Sequence, residues 1–206
     1  MALSDDAYVA IKRRIVTVDL PPGAALDETE LQSRLNIGRT PIREAILRLQ
    51  RDQFVRIVPR RGVFVTSVDV DDLSLLFETR SVIEPYAARL AAERGSTAIW
   101  DRMARNLSVG PSPSAPEVAL GIDRHCHELM WEAGQNRFLT DTLDMLYAQS
   151  ERVWYLFVRD APDLHDILGE HEELLAYFRK GDGERAARLM AEHVRQFHDE
   201  IRSVKK

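Results

Sequence analysis

The sequence predicts a mostly α-helical protein in two parts, an N-terminal winged helix-turn-helix and a C-terminal all-α helical bundle. Three observations lead there. Apolar residues recur at helical spacing through most of the chain. Two short β-branched and aromatic runs occur once, around Pro59-Arg60-Arg61-Gly62. A turn at Asn36-Ile37-Gly38 feeds a helix whose first turns carry Arg39, Thr40, Pro41 and Arg43.

The first helix is predicted over Ala7–Val18 from Tyr8, Ile11 and Ile15, ending before Pro21-Pro22-Gly23. A second is predicted from an Asp27 cap to about Leu35, with Glu30 in the position that completes a capping box. Asn36 suits the left-handed residue of a sharp interhelix turn. The third helix, about 39–53, accepts Pro41 because a first-turn residue needs no intrahelical acceptor. Ile42, Ile46, Leu47 and Leu49 are read as its buried side. Phe54–Val58 and Val63–Thr66 then form a two-stranded ribbon, with Pro59–Gly62 at its tip. From Val70 onward six helices are predicted, at roughly 70–94, 96–108, 115–133, 137–159, 163–180 and 183–204. Gly110–Pro116 is a predicted loop, and Gly181-Asp182-Gly183 a tight turn with Asp182 as cap. The domains are therefore expected at 1–67 and 68–206, joined by a short link near Ser67–Asp69.

Charge separates these halves. Net charge is −5, yet residues 1–66 carry 11 Lys and Arg against 8 Asp and Glu, while residues 67–206 carry 17 against 25. A basic head on an acidic body suits a nucleic-acid module joined to a part with another task. The longest strongly apolar run, Trp154–Val158, is far too short to span a bilayer. The first residues lack a basic-then-apolar leader pattern. One cysteine, Cys126, makes an internal disulfide impossible. A cytoplasmic location without membrane contact is expected.

A helix-turn-helix sets the start of its second helix against base edges while neighbouring groups hold phosphates. Arg39 and Arg43, four apart, share one helix face, and arginine can bridge guanine O6 and N7. Thr40 offers a hydroxyl and a methyl. Arg48 lies further along, towards the DNA backbone. At the ribbon tip, Arg60 or Arg61 suits a minor groove, and Gly62 permits close approach. Double-stranded operator DNA is the expected partner.

A second constellation lies in the helical half. Asp123 and His127 are four apart on one predicted helix, and His171 and His193 lie on the two C-terminal helices. If they converge, one carboxylate and three imidazoles suit a divalent ion such as Zn, Ni, Mn or Fe. Otherwise they are partly buried polar residues. His125 points elsewhere on its helix, Cys126 is read as a small buried hydrophobe, and His165 and His198 as surface or outer-layer groups. Tyr147, Arg152, Trp154 and Tyr155 either line a pocket or belong to the core.

The N-terminal pattern Pro22-Gly23, Leu26, Glu28, Leu31, Arg39-Thr40-Pro41-Ile42-Arg43-Glu44-Ala45 and Pro59-Arg60-Arg61-Gly62-Val63-Phe64-Val65 resembles the winged-helix domain of the GntR family of bacterial transcription regulators. Gly38 stands where that family usually has Ser or Thr, and Asn36 where it has glycine. Arg80-Ser81-Val82-Ile83-Glu84 with Ala87, Ala88, Ala91 and Ala92, then Asp123–His127 with Asn136, then His171 to His193, resemble the FadR-type (FCD) effector domain, in its shorter six-helix, VanR-like form. The resemblance implies operator contacts by Arg39, Thr40 and Arg43, with Gly62 at the minor groove. It implies a divalent metal on Asp123, His127, His171 and His193. It makes Arg80 a partner for a carboxylate effector; the alternative is a salt bridge with Glu84 or Glu78. The function expected is a homodimeric regulator, not an enzyme, in the manner of a repressor released by a small organic acid. Two rivals stay open: a regulator whose metal is structural or itself sensed, and a metal-dependent hydrolase.

Overall fold

The computed structural model describes residues 2–68, 70–108, 116–157 and 167–204. They divide into two compact units, Met1–Asp72 with Ala148–Leu156, and Leu73–Tyr147 with Phe157–Lys206. Of the predicted loop Gly110–Pro116 all but Pro116, which opens a helix, lies outside the described residues, as do the starts expected at 115 and 163 and His165.

In the first unit α1 (Leu3–Val16) packs on α3 (Arg39–Arg51), with α2 (Glu28–Leu35) between them in sequence. Ala7, Tyr8, Ile11 and Ile15 of α1 and Ile42, Ala45, Ile46 and Leu49 of α3 are all buried, each set following a single helical stripe. Burial of such aliphatic side chains contributes about 1.5–3 kcal/mol each. Leu47 does not join them. It is 58% exposed, because its position falls off the 42–45–46–49 stripe. Asp27 caps α2 by accepting from the backbone N–H groups of Thr29 (2.7 Å) and Glu30 (3.1 Å). Glu30 turns to Arg34 at 2.8 Å instead of closing the capping box. Asn36 ends the helix in the left-handed conformation expected of it, φ 53° and ψ 41°.

The wing has one strand more than its sequence pattern predicted. β1 (Ala25–Leu26) pairs antiparallel with β3 (Gly62–Val65), which pairs antiparallel with β2 (Val55–Val58), giving the order β1-β3-β2. A two-residue strand has no alternation to read, and its existence depends on the partner it meets.

Residues 148–156 complete this unit. They belong to α7 (Arg137–Phe157), which also extends into the second unit. Gln149 Nε2 donates to the Asp52 carbonyl at 3.1 Å, and Arg13 pairs with buried Glu151 at 2.9 Å. Fully buried Arg152 donates to the Thr66 carbonyl and, at 3.1 Å, to the Thr66 hydroxyl. Burial pulls its guanidinium down to about 10, still far above neutrality. Arg152 and fully buried Trp154 thus serve the first unit's interior.

The described elements of the second unit are all helices: the rest of α4 (Val70–Arg94), α5 (Thr97–Leu107), α6 (Pro116–Gly134), the first part of α7, α8 (Ile167–Lys180) and α9 (Gly183–Val204). α5 packs on α6 and α8, and α8 on α6 and α9. Trp100 of α5 stacks on Phe178 of α8 with centroids 4.8 Å apart. The α8–α9 turn uses Gly181 at φ +68°, where a side chain would be strained, and the Asp182 carboxylate accepts from the Arg185 N–H at 3.1 Å. This short turn brings the two C-terminal histidine-bearing helices side by side.

Candidate nucleic-acid interface and metal centre

Arg39 and Thr40 are the first two residues of α3, and Arg43 follows one turn later; all three are exposed. Gly38 occupies the N-cap in extended conformation with no side-chain cap, so the first N–H groups of α3 are left to an outside acceptor. Arg43 Nε lies 3.2 Å from Glu28. An ion pair this exposed is worth about 0–1 kcal/mol and yields readily to a phosphate or base. Arg48 differs: it pairs with Asp5 at 3.2 Å, and its guanidinium sits 3.9 Å from the Tyr8 ring centroid, joining α3 to α1. At the wing tip Arg60, Arg61 and Gly62 are exposed. Arg60 is left-handed (φ 63°) and Gly62 has φ 114°, with open space where a Cβ would stand. The glycine therefore answers a backbone need of the three-residue hairpin and keeps the tip thin.

The helical unit brings Asp123, His127, His171 and His193 together, all buried, with one donor atom from each within 4.8 Å of the others. Asp123 Oδ1 lies 3.3 Å from His171 Nε2, 3.6 Å from His193 Nε2 and 3.8 Å from His127 Nε2. His127 Nε2 and His193 Nε2 are 3.2 Å apart. Ligands at 2.0–2.2 Å from one ion lie about 2.8–3.6 Å from their nearest neighbours in octahedral or tetrahedral arrangements, so the spacing is close to that of a cage for a small divalent ion.

A carboxylate stands behind each of two rings, hydrogen-bonded in one case and within ion-pair distance in the other. His193 Nδ1 faces Glu170 at 2.7 Å, and His127 Nδ1 faces Glu84 at 3.2 Å. With a proton drawn to Nδ1 of His193 by Glu170, the Nε2 lone pair of that ring points inward at His127 Nε2 and Asp123 Oδ1. That oxygen is buried and has no hydrogen-bond partner. Such a convergence in a buried space is a donor set that a cation can satisfy.

The same crowding sets the charges of these groups. Burial would raise the Asp123 carboxyl, but the three imidazoles and the Tyr147 hydroxyl together hold it below its usual range. Burial opposes ionisation of Glu84 too, yet Arg80 and His127 keep it far below the carboxylate norm. Arg80 pairs through Nε with Glu84, both being buried, so the anticipated Arg80–Glu84 salt bridge exists. Burial disfavours the charged form of His193, but its bond to Glu170 and the nearby Asp123 raise it above its ordinary value.

The remaining groups stand apart. His125 Nδ1 is 3.3 Å from Glu128 on the outer face of α6. Cys126 is buried beside Asn106, and burial pushes its thiol up to about 12. His198 packs on Phe77 with centroids 4.8 Å apart. Sequence reasoning did not place Glu170 at the cage. It adjoins His171 in sequence but reaches His193 on the next helix, and nothing local signals that. Tyr147, read ambiguously, donates its hydroxyl to Asp123 Oδ2.

Two family models match this chain. Residues 3–65 match the profile of bacterial regulatory proteins of the gntR family, and residues 75–196 match the FCD domain. The chain is 24% identical over 206 residues to the HTH-type transcriptional repressor RspR of Escherichia coli K12, covering 98% of this chain and 90% of that protein. Its fold is similar to Escherichia coli McbR/YncC, with a TM-score of 0.84, 20% identity and full coverage of both chains. A GntR regulator from Rhodococcus sp. RHA1 gives a TM-score of 0.73 at 20% identity, over 97% of each chain. Among the described residues no helix is long and apolar enough to cross a membrane.

Proposed function

Because the chain belongs to the gntR family of bacterial transcription regulators and carries the family's ligand-binding FCD domain, we propose that it is a homodimeric cytoplasmic repressor released by a small carboxylate that binds at a metal in the helical unit. The observation that carries this reading is the buried cage in which Asp123 Oδ1 and three imidazole Nε2 atoms face one another. The metal would be Zn, Ni, Mn or Fe, held by Asp123, His127, His171 and His193, and would supply a Lewis-acidic seat for a carboxylate oxygen. Arg80, linked to the cage through Glu84, would add the positive charge that an organic acid meets. Arg39, Thr40 and Arg43 would read operator bases. Arg60, Arg61 and Gly62 would follow the minor groove, and Arg48 would keep α3 on α1 beside the phosphates.

The effector acts only through different affinities for two conformations. Helix α7 is the proposed carrier of the difference. It holds Asp123 through Tyr147 and, within two further turns, holds Asp52 and Thr66 through Gln149 and Arg152. A hydrolytic role is disfavoured because the nearest carboxylates, Glu84 and Glu170, are engaged by Arg80, His127 and His193. The test is thermal unfolding with a panel of small carboxylates, using metal-loaded and chelator-treated protein, alongside operator binding. A metal-dependent rise in Tm for one acid, with loss of operator binding, is the expected result. No response to any acid, with operator binding that follows the metal alone, would replace the effector reading with metal sensing.

A further inference from the structure

The cage contains more design than its four inward-facing atoms. Asp123 has two carboxylate oxygens, and only Oδ1 faces the imidazoles, because Oδ2 accepts the hydrogen bond of Tyr147. Two guanidinium groups stand over the Tyr147 ring, Arg80 at 5.5 Å and Arg124 at 5.4 Å from its centroid. Arg124 in turn pairs with Asp144, one turn before Tyr147 on α7, at 2.8 Å. Glu170 fixes the ring of His193 through Nδ1 at 2.7 Å, whereas Glu84 only approaches Nδ1 of His127, at 3.2 Å.

From these contacts, and resting on the metal reading above, we infer that Tyr147 and Glu170 are positioning residues that determine how the ion is coordinated. Tyr147 keeps Asp123 monodentate, so the protein supplies four donors and leaves the remaining coordination positions to an exogenous oxygen ligand. Glu170 holds His193 in the tautomer whose Nε2 lone pair faces the ion, and its negative charge increases that nitrogen's donor strength. Without the Tyr147 hydroxyl, Asp123 Oδ2 is released to chelate the same ion, and an open position is lost. Tyr147→Phe is therefore expected to alter the geometry of the bound metal as well as its affinity. Glu170→Gln is expected to weaken affinity mainly, since an amide oxygen still accepts from Nδ1.

The experiment is titration of chelator-treated full-length protein with Co2+, read by visible absorption and by competition with a chromophoric chelator. It compares the wild type with Tyr147→Phe, Glu170→Gln and His193→Ala, and thermal unfolding of each metal-free form verifies folding. Outer partners of metal ligands typically change affinity 10–100-fold. The expected result is a loss of roughly that size in both positioning variants, with a changed Co2+ spectrum in Tyr147→Phe and an unchanged spectral shape in Glu170→Gln. If the wild type binds Co2+, His193→Ala loses it, and both positioning variants match the wild type in affinity and spectrum, this inference falls while the metal site stands. If the wild type takes up no Co2+, or His193→Ala binds it equally well, the metal reading falls and this inference with it.

Discussion

The recognition helix and the histidine cage solve opposite problems. Arg39, Thr40 and Arg43 are exposed neighbours on one helix, so correct placement needs only the α3 backbone and a turn that starts it. Asp123, His127, His171 and His193 are buried and come from α6, α8 and α9, so their donor atoms meet only when the bundle is packed. The first is a local structure that acts on something outside the molecule. The second is a tertiary structure that acts inside it. A substitution on the first should change operator affinity and leave stability alone, whereas one on the second should change metal content and, through it, stability.

The largest expected effect tests the cage. His193→Ala should reduce metal affinity by more than the ~100-fold upper range associated with outer partners, because it deletes a ligand; metal analysis after dialysis measures it, and full retention would sink the assignment. Next comes the interior of the DNA-binding unit. Ile46→Ala should cost about 2–5 kcal/mol in denaturant unfolding, as for other large-to-small changes in a packed core. Arg43→Ala should cost about 1–3 kcal/mol of operator affinity, concentrated at one base position, with unfolding unchanged; equal losses on all sequences would make it a phosphate contact instead. Leu47→Ala, one residue from Ile46 but 58% exposed, should stay within about 0.5 kcal/mol in unfolding. The smallest effect is at Cys126. With its thiol pushed up to about 12 by burial, almost none is thiolate at pH 8, so a thiol reagent should react only on unfolding.

The pair Ile46 and Leu47 also shows where reading the sequence stops. Both are apolar in the middle of one helix, and an apolar count assigns both to the core. Only the direction of the α1 contact selects 42, 45, 46 and 49 and leaves 47 in solvent. The wing shows the same limit. β2 and β3 announce themselves by composition, but Ala25–Leu26 becomes a strand only because β3 lies alongside it. The cage was legible as far as residue type and spacing reach: two ligands one turn apart on α6, and one on each of two helices joined by a Gly-Asp-Gly turn. Its outer partners were not. Tyr147 reads as a core aromatic and Glu170 as a surface carboxylate until the helices are assembled.

By itself the sequence determined the order of the helices it could read, the two strands of the ribbon, the turn and cap residues and the exposed arginines at the start of α3. These follow from short-range physics: side-chain periodicity, capping hydrogen bonds and the conformational freedom of Asn36, Gly62 and Gly181. Tertiary structure alone decided that Asp123 presents Oδ1 and not Oδ2, that three imidazoles turn Nε2 towards it, and that one helix, α7, contributes Tyr147 to the second unit and Arg152 to the first. The reason is physical. Which atom of a buried polar group is left over depends on which partners satisfy the others, and those partners are brought together by packing across long separations in sequence.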